Sequence, residues 1–127
     1  GVGCDDELNL ILPGANYGWG VHRYDDCPYP DDTGNPPIYQ WEQVVAPVGL
    51  TFYTGELMPE FQGDLLVCGF NEQKLFRIEL SEDGRSVQSI TTVEIPGEST
   101  LCRVPIVQGP DGWLYTATIT EITRIGR

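Results

Sequence analysis

Acidic residues and a tightly specified turn stand side by side near the start of the chain. Asp5, Asp6 and Glu7 lead into the alternating run "ELNLIL", and the stretch "PGANYGWG" then bends the backbone twice. Carboxylates in such a place suit either a divalent-cation site or an active site, because both need charged oxygens held by a fixed backbone. Either kind of site depends on the elements that position these residues.

The charge balance limits the classes of partner. The chain of 127 residues carries 19 Asp plus Glu against 7 Lys plus Arg, a formal net charge of -12. Nucleic acid and anionic membrane surfaces are therefore not expected as partners, since both require a basic footprint. No apolar run is long enough to span a bilayer. The acidity itself suits a soluble secreted protein or one that holds divalent cations.

Four cysteines occur far apart and without CxxC spacing, which argues against a zinc ribbon or a thioredoxin-type pair. They allow three disulfide pairings, which the spacing leaves open. An oxidising compartment is expected for a chain of this kind. The first residue is Gly1 rather than methionine, and we expect a mature or cut product.

Strand patterns recur along the chain, whereas no helical apolar stripe lasts three turns. The turn sequences "SEDGRS" and "GPDGWLY" are hairpin signals. The irregular stretch 21–37 is expected to be an ordered functional or metal-holding loop. Nine strands are predicted: Leu8–Leu12, Ile38–Val45, Gly49–Tyr53, Asp64–Phe70, Lys74–Leu80, Val87–Ile95, Val104–Gln108, Trp113–Ile119 and Glu121–Ile125.

The strand rhythm indicates an all-β sandwich, barrel or propeller. Two segments, "APVGLTFYTG...GDLLVCGFNEQKLFRIEL" and "CRVPIVQGPDGWLYTATITEITRIGR", show weak self-similarity. Each gives an apolar strand, a turn, a second strand ending in small residues and a third strand ending in Arg-Ile. Repetition on this scale is typical of propeller blades.

Three stretches together resemble the glucose/sorbosone dehydrogenase family: "DELNLILPGANYGW", "VAPVGLTFYTGELMPEFQGDLLVCGF" and "GPDGWLY" followed by "ITRI". The resemblance covers essentially the whole chain and is to the C-terminal part of these quinoproteins. It implies a six-bladed β-propeller, with this chain covering roughly two blades plus a partial one. Residues 1–45 would be the second half of one blade with a long calcium loop, 46–97 a complete blade, and 98–127 the first three strands of a further blade.

The resemblance also implies a calcium site at the opening motif. Glu7 and Tyr17 match the family's calcium residues, with Tyr17 acting through its backbone carbonyl. Asp25 and Asp26 stand about where some members supply another carboxylate, and solvated loop acids are the alternative interpretation. No catalytic residue is expected in this chain, because the histidine base of the family belongs to the N-terminal part and His22 is interpreted as a surface residue.

The cofactor of the family is pyrroloquinoline quinone, and two positions correspond to its contacts. Asn71 stands where active members carry a lysine, and Arg103 is the single counterpart of a closely spaced arginine pair. Fewer cations would weaken the hold on a tricarboxylate, because charge-assisted hydrogen bonds are the strong ones. The propeller interpretation further implies two disulfides, Cys4–Cys27 around the calcium loop and Cys68–Cys102 near the cofactor positions.

The resemblance therefore implies the C-terminal portion of a periplasmic or extracellular sugar dehydrogenase that oxidises an aldose by hydride transfer to the quinone. The expected partners are the remaining propeller blades or further copies of the chain, and sugar. The alternatives are a non-catalytic propeller that binds carbohydrate or protein, and a self-assembling propeller fragment.

Overall fold

The computed structural model describes residues 6–17, 35–95, 98 and 100–126. Within this part of the chain there are nine strands in three antiparallel sheets, one short 3-10 helix and no α-helix. The all-β prediction is therefore confirmed. The chain divides into two compact units, Gly1–Val44 and Val45–Arg127.

The first unit contains a two-stranded ladder. Two further backbone bonds extend it, from the Ile38 N–H to the Leu8 carbonyl at 2.8 Å and from the Trp41 N–H to the Asp6 carbonyl at 2.9 Å. Trp41 is buried and meets the Tyr39 ring edge to face, with centroids 5.1 Å apart. The paired strands are β1 (Glu7–Leu8) and β2 (Tyr39–Gln40).

Both strands of this ladder are shorter than the sequence predicts, so the bounds Leu8–Leu12 and Ile38–Val45 were wrong. The reason at β1 is a competing side chain. The Tyr17 hydroxyl donates to the Leu10 carbonyl at 2.6 Å and accepts from the Leu12 N–H at 2.7 Å. These backbone groups are then unavailable to a strand partner, and the apolar alternation continues without a ladder.

The second unit begins with a four-stranded sheet in the order β3-β4-β5-β6. The turn between the last two strands contains Gly84 at φ 68°, and the Ser81 N–H donates to the Ser86 carbonyl at 2.9 Å, which confirms the predicted hairpin. A 3-10 helix, Pro59–Phe61, lies between the first two strands. The strands are β3 (Pro47–Phe52), β4 (Leu65–Gly69), β5 (Lys74–Leu80) and β6 (Val87–Val93).

A three-stranded sheet, in the order β7-β8-β9, completes the second unit. Its first hairpin turns at Gly112, which has φ 84°, and the Gly109 N–H donates to the Trp113 carbonyl at 2.8 Å. The predicted "GPDG" hairpin is thus confirmed. The strands are β7 (Val104–Gln108), β8 (Leu114–Ala117) and β9 (Ile122–Ile125).

A hydrophobic core fills the space between these two sheets. Leu66 and Cys68 of β4 both face it, because side chains two apart on a strand share a face, and Leu75 of β5 lies beside them. The backbones approach closely at Gly49 of β3, where a Cβ would lie 2.6 Å from Pro105 Cα. The core consists of Tyr53, Met58, Leu66, Cys68, Leu75, Leu101, Cys102, Ile106, Leu114 and Ile125.

Polar and covalent links close this core at both ends of β4. Next to the start of β4, the hydroxyl of the fully buried Tyr53 donates to the Gly112 carbonyl at 2.9 Å and accepts from the Met58 N–H at 3.0 Å. Near the end of β4, Cys68 forms a disulfide with Cys102, just before β7, with the Cα atoms 5.5 Å apart. The two sheets are therefore tied to each other twice.

We expect Tyr53→Phe to lower the free energy of unfolding by about 1–3 kcal/mol, because it leaves a buried N–H and a partly buried carbonyl without their partner. Chemical denaturation followed by far-ultraviolet circular dichroism measures the loss. Tyr17→Phe is the comparison: its hydroxyl also bonds two backbone groups, but at a more exposed turn where water can replace it, so its loss is expected to be smaller. A Tyr53→Phe protein as stable as the wild type would show that the hydroxyl bridge contributes nothing.

A hydrogen bond to a carboxylate joins the "GPDG" turn to β8, and its contribution to stability depends on pH. The Tyr115 hydroxyl donates to the Asp111 carboxylate at 2.6 Å, which lowers the pKa of Asp111 below its ordinary value of 3.8 and raises the pKa of Tyr115 above 10.0. Because the folded-state pKa of Asp111 is the lower one, its stabilisation is complete above the ordinary value. It is lost as the pH falls through the folded pKa.

Tyr115→Phe is expected to lower Tm at neutral pH, and the difference from the wild type is expected to shrink as the pH is taken below 3.8. Thermal melts over a series of acidic buffers measure it. Tyr53→Phe is the matched control, because its hydroxyl bonds backbone groups and its Tm difference should not follow this titration. A Tyr115→Phe difference independent of pH would contradict the assignment.

Candidate functional site

The Glu7 carboxylate is held by two side-chain amides. Asn9 Nδ2 donates to Oε2 at 3.3 Å, and Gln40 Nε2 donates to Oε1 at 3.1 Å. The ladder explains both contacts, since Asn9 is two residues along the same strand direction and Gln40 is the cross-strand partner of Glu7. Neither residue was predicted from the sequence, although period-2 spacing from Glu7 could have pointed to Asn9.

An unsatisfied oxygen lies beside this carboxylate. Asn9 Oδ1 is buried and has no hydrogen-bond partner among the described residues. A buried amide oxygen without a donor is costly, and carboxylate and amide oxygens are ligand types that calcium accepts. The oxygen chemistry of Glu7 and Asn9 therefore fits a hard cation.

Of the other residues predicted to bind calcium, the structure describes Tyr17 but not Asp25 or Asp26. Tyr17 uses its hydroxyl to hold the backbone at Leu10 and Leu12, so its side chain organises the turn after β1. Asp25, Asp26 and the predicted Cys4–Cys27 disulfide lie outside the described residues. Across residues 6–17, 35–95, 98 and 100–126, no three or more His, Cys, Asp or Glu side chains cluster as a metal site.

A second candidate site lies in the second unit, at the end of the sheets that carries the disulfide. Arg103 directly follows Cys102, and its guanidinium carbon lies 5.1 Å from the centroid of the Phe70 ring. Phe70 and Asn71 follow β4 in the turn to β5. The structure thus brings Arg103 to the turn that contains Asn71, two segments more than 30 residues apart in sequence.

Arg103 keeps one donor unused. Its Nε is buried and has no hydrogen-bond partner in the part of the chain that the structure describes. A buried cationic N–H without an acceptor is unfavourable, and a carboxylate is the acceptor that pairs best with guanidinium. The arrangement of Arg103 over Phe70 is therefore suited to hold an anion.

The backbone of Asn71 helps to fix this turn. Its N–H donates to the Val45 carbonyl at 3.1 Å, and the Phe70 N–H donates to the Ala46 carbonyl at 3.0 Å. The Asn71 side chain is exposed at the surface of the turn. These bonds fix the turn on which the Phe70 ring meets Arg103.

The predicted Cys68–Cys102 disulfide is present and is fully buried. It joins the last part of β4 to the residue before Arg103.

Two further sequence expectations concern His22 and membrane spans. His22 lies outside the described residues. None of the helices in the described ranges is long and apolar enough to cross a membrane.

The amino-acid sequence matches one protein family and is similar to two curated proteins. The family description Glucose / Sorbosone dehydrogenase matches residues 1–127. The chain is 35% identical to an uncharacterized protein of Synechocystis sp. over 122 residues and 26% identical to the aldose sugar dehydrogenase YliI of Escherichia coli over 132 residues. Each alignment covers 89% of this chain, but only 28% and 32% of the respective relative.

The fold is also similar to solved structures of glucose dehydrogenases. A crystal structure of glucose dehydrogenase superimposes with a TM-score of 0.69 at 29% identity, covering 88% of this chain and 34% of that one. A putative oxidoreductase (glucose dehydrogenase) from Thermus thermophilus gives 0.62 at 36% identity, covering 87% and 30%. The chain spans about a third of the length of these relatives. Its full-length family match shows that it belongs to the glucose/sorbosone dehydrogenase family.

Proposed function

We propose that this chain is the C-terminal portion of a sugar dehydrogenase of the six-bladed propeller type, and that it supplies an anion-binding arginine, a calcium site and scaffold. The observation that carries the proposal is the buried, unpartnered Nε of Arg103 among the described residues. The second unit supports it, since its four-stranded and three-stranded antiparallel sheets have the form of one complete blade and the first three strands of another.

Arg103 would hold a carboxylate of pyrroloquinoline quinone, with the exposed Asn71 turn beside it. When bound, the quinone supplies an acceptor for the hydride of an aldose. The chain's own residues would bind and orient it: the guanidinium donates through Nε, and the Phe70 ring supports the guanidinium from one side. Burial strengthens this contact, because a charge-assisted hydrogen bond is less screened away from water.

Glu7 and Asn9 would hold calcium in the first unit, with Tyr17 ordering the adjacent turn through its hydroxyl. Calcium takes six to eight oxygens, so further ligands would have to come from elsewhere, such as the Tyr17 carbonyl, Asp25 and Asp26. The ion would relieve the unsatisfied Asn9 Oδ1.

The proposed partners and compartment follow from the same interpretation. The remaining blades, or further copies of the chain, would cover the exposed apolar residues Val48, Leu50 and Phe52, of which Leu50 and Phe52 share one face of β3. A buried disulfide is favoured in an oxidising compartment, which supports a periplasmic or extracellular protein.

A second candidate function is a non-catalytic propeller that binds a carbohydrate or a protein. One observation favours it: Asn71 and Arg103 offer a single cation where active relatives of the family are expected to use more. A tricarboxylate held by one guanidinium would be bound more weakly. The two candidates differ in whether the quinone binds and an aldose is oxidised.

Calcium is expected to raise the stability of the protein by about 2.7 kcal/mol when present at about a hundred times its Kd, because it binds only the folded state. Glu7→Gln, which keeps the shape but removes the charge, is expected to abolish most of this gain in thermal melts. The control is Glu42→Gln, at an exposed position of the same unit. An equal calcium shift in both variants would rule out the Glu7 site.

Arg103→Lys is expected to weaken quinone binding about tenfold to a hundredfold, because it keeps the charge but loses the Nε donor. Absorbance titration of the protein from its full reading frame measures Kd, and dye reduction with an aldose measures turnover. Arg85→Lys, in the exposed hairpin of the second unit, is the control. If the wild type neither binds quinone nor reduces dye, the non-catalytic alternative is supported.

A further inference from the structure

The turn between β4 and β5 ends in a residue with an unusual backbone. Gln73 has φ 57°, one of two non-glycine residues with positive φ in the described ranges. A side chain in this left-handed region is strained, and such a conformation persists only when the surroundings hold it. The bonds that Gln73 accepts are what holds it here.

Gln73 accepts three hydrogen bonds from one short segment, residues 100–102. Its carbonyl accepts from the Leu101 N–H at 3.1 Å and from the Cys102 N–H at 3.4 Å. Its side-chain Oε1 accepts from the Thr100 hydroxyl at 2.9 Å. Consecutive residues on the approach to Arg103 are thus bound to a single residue.

Other contacts complete the restraint of this segment. The buried Thr116 hydroxyl donates to the Leu101 carbonyl at 2.7 Å, and Cys102 is bonded covalently to Cys68. The Arg103 N–H donates to the Ala117 carbonyl at 3.3 Å. The disulfide alone would fix one atom pair and leave the chain free to turn about it. Gln73, together with the Thr116 and Ala117 contacts, restrains its direction, and Gln73 accepts the largest share of these bonds.

We propose that Gln73 is a positioning residue for the anion site, acting through residues 100–102 to aim the Arg103 guanidinium over Phe70 and toward a bound carboxylate. This rests on the proposed function, in which Arg103 holds a carboxylate of the quinone. Phe70 and Gln73 belong to the same β4–β5 turn. One turn therefore supplies both the ring that supports the guanidinium and the acceptors that fix its backbone.

Two variants remove the same hydrogen bond from opposite sides. Thr100→Val deletes the hydroxyl donor with little change of shape. Gln73→Gly deletes the side-chain acceptor, keeps the carbonyl and suits the positive φ. Each is expected to weaken quinone binding about threefold to tenfold in absorbance titrations. Thr51→Val, whose hydroxyl makes a local 3.4 Å contact to the Phe52 carbonyl on β3, is the matched control and is expected to leave Kd unchanged.

A double-mutant cycle with Arg103→Lys separates positioning from a general effect on the fold. If Gln73 acts through Arg103, Thr100→Val should change Kd little in the Arg103→Lys background. An equal loss in both backgrounds would show a merely structural role and overturn the proposal. The proposal would also be overturned if Arg103→Lys weakens binding but Thr100→Val and Gln73→Gly both bind the quinone with the wild-type Kd.

The same titrations test the proposed function separately. Circular dichroism confirms that each variant is folded before Kd is compared. If the folded wild type does not bind the quinone, the proposed function is overturned and the positioning role falls with it. If the wild type binds and only the positioning variants have no effect, the proposed function stands and the role of Gln73 is overturned.

Discussion

Close packing of the four-stranded sheet on the three-stranded sheet is the constraint on which the second unit depends. The backbones of β3 and β7 can approach only because Gly49 lacks a side chain where Pro105 lies against it. At that separation the apolar side chains of both sheets interdigitate and exclude water, which is the dominant favourable term in folding. The Tyr53 hydroxyl and the Cys68–Cys102 disulfide then fix the two ends of the contact.

These two ties have different physical consequences. The Tyr53 bridge satisfies backbone groups inside the fold, so its value lies in avoiding an unpaired carbonyl and N–H. The disulfide restricts the unfolded chain by closing a loop across a sequence separation of 34. The candidate anion site lies at the end of the contact that carries the disulfide. There Arg103 directly follows Cys102 and its guanidinium lies over the Phe70 ring. A rigid scaffold thus carries a cation whose buried Nε has no hydrogen-bond partner among the described residues.

The first unit shows how a local contact overrides a strand pattern. The alternation from Leu8 to Leu12 reads as one strand, but the Tyr17 hydroxyl takes the backbone groups at Leu10 and Leu12. No periodicity could indicate this, because a tyrosine several residues away supplies the competing donor and acceptor. In the second unit the predicted bounds Lys74–Leu80 and Val104–Gln108 were confirmed, since pairing partners on neighbouring strands reach both ends of each strand despite one register shift in the β5–β6 ladder and one in the β7–β8 ladder.

The sequence by itself determined the all-β class, the two glycine hairpins and the family, because alternation, turn chemistry and motifs are local properties. The Cys68–Cys102 pairing came from the family resemblance, since four cysteines alone leave three choices. Only the tertiary structure decided that Gln40 holds Glu7, and that Gln73 holds the approach to Arg103. These contacts depend on strand register and sheet packing, which bring distant residues together and leave no mark on the spacing of residues in the chain.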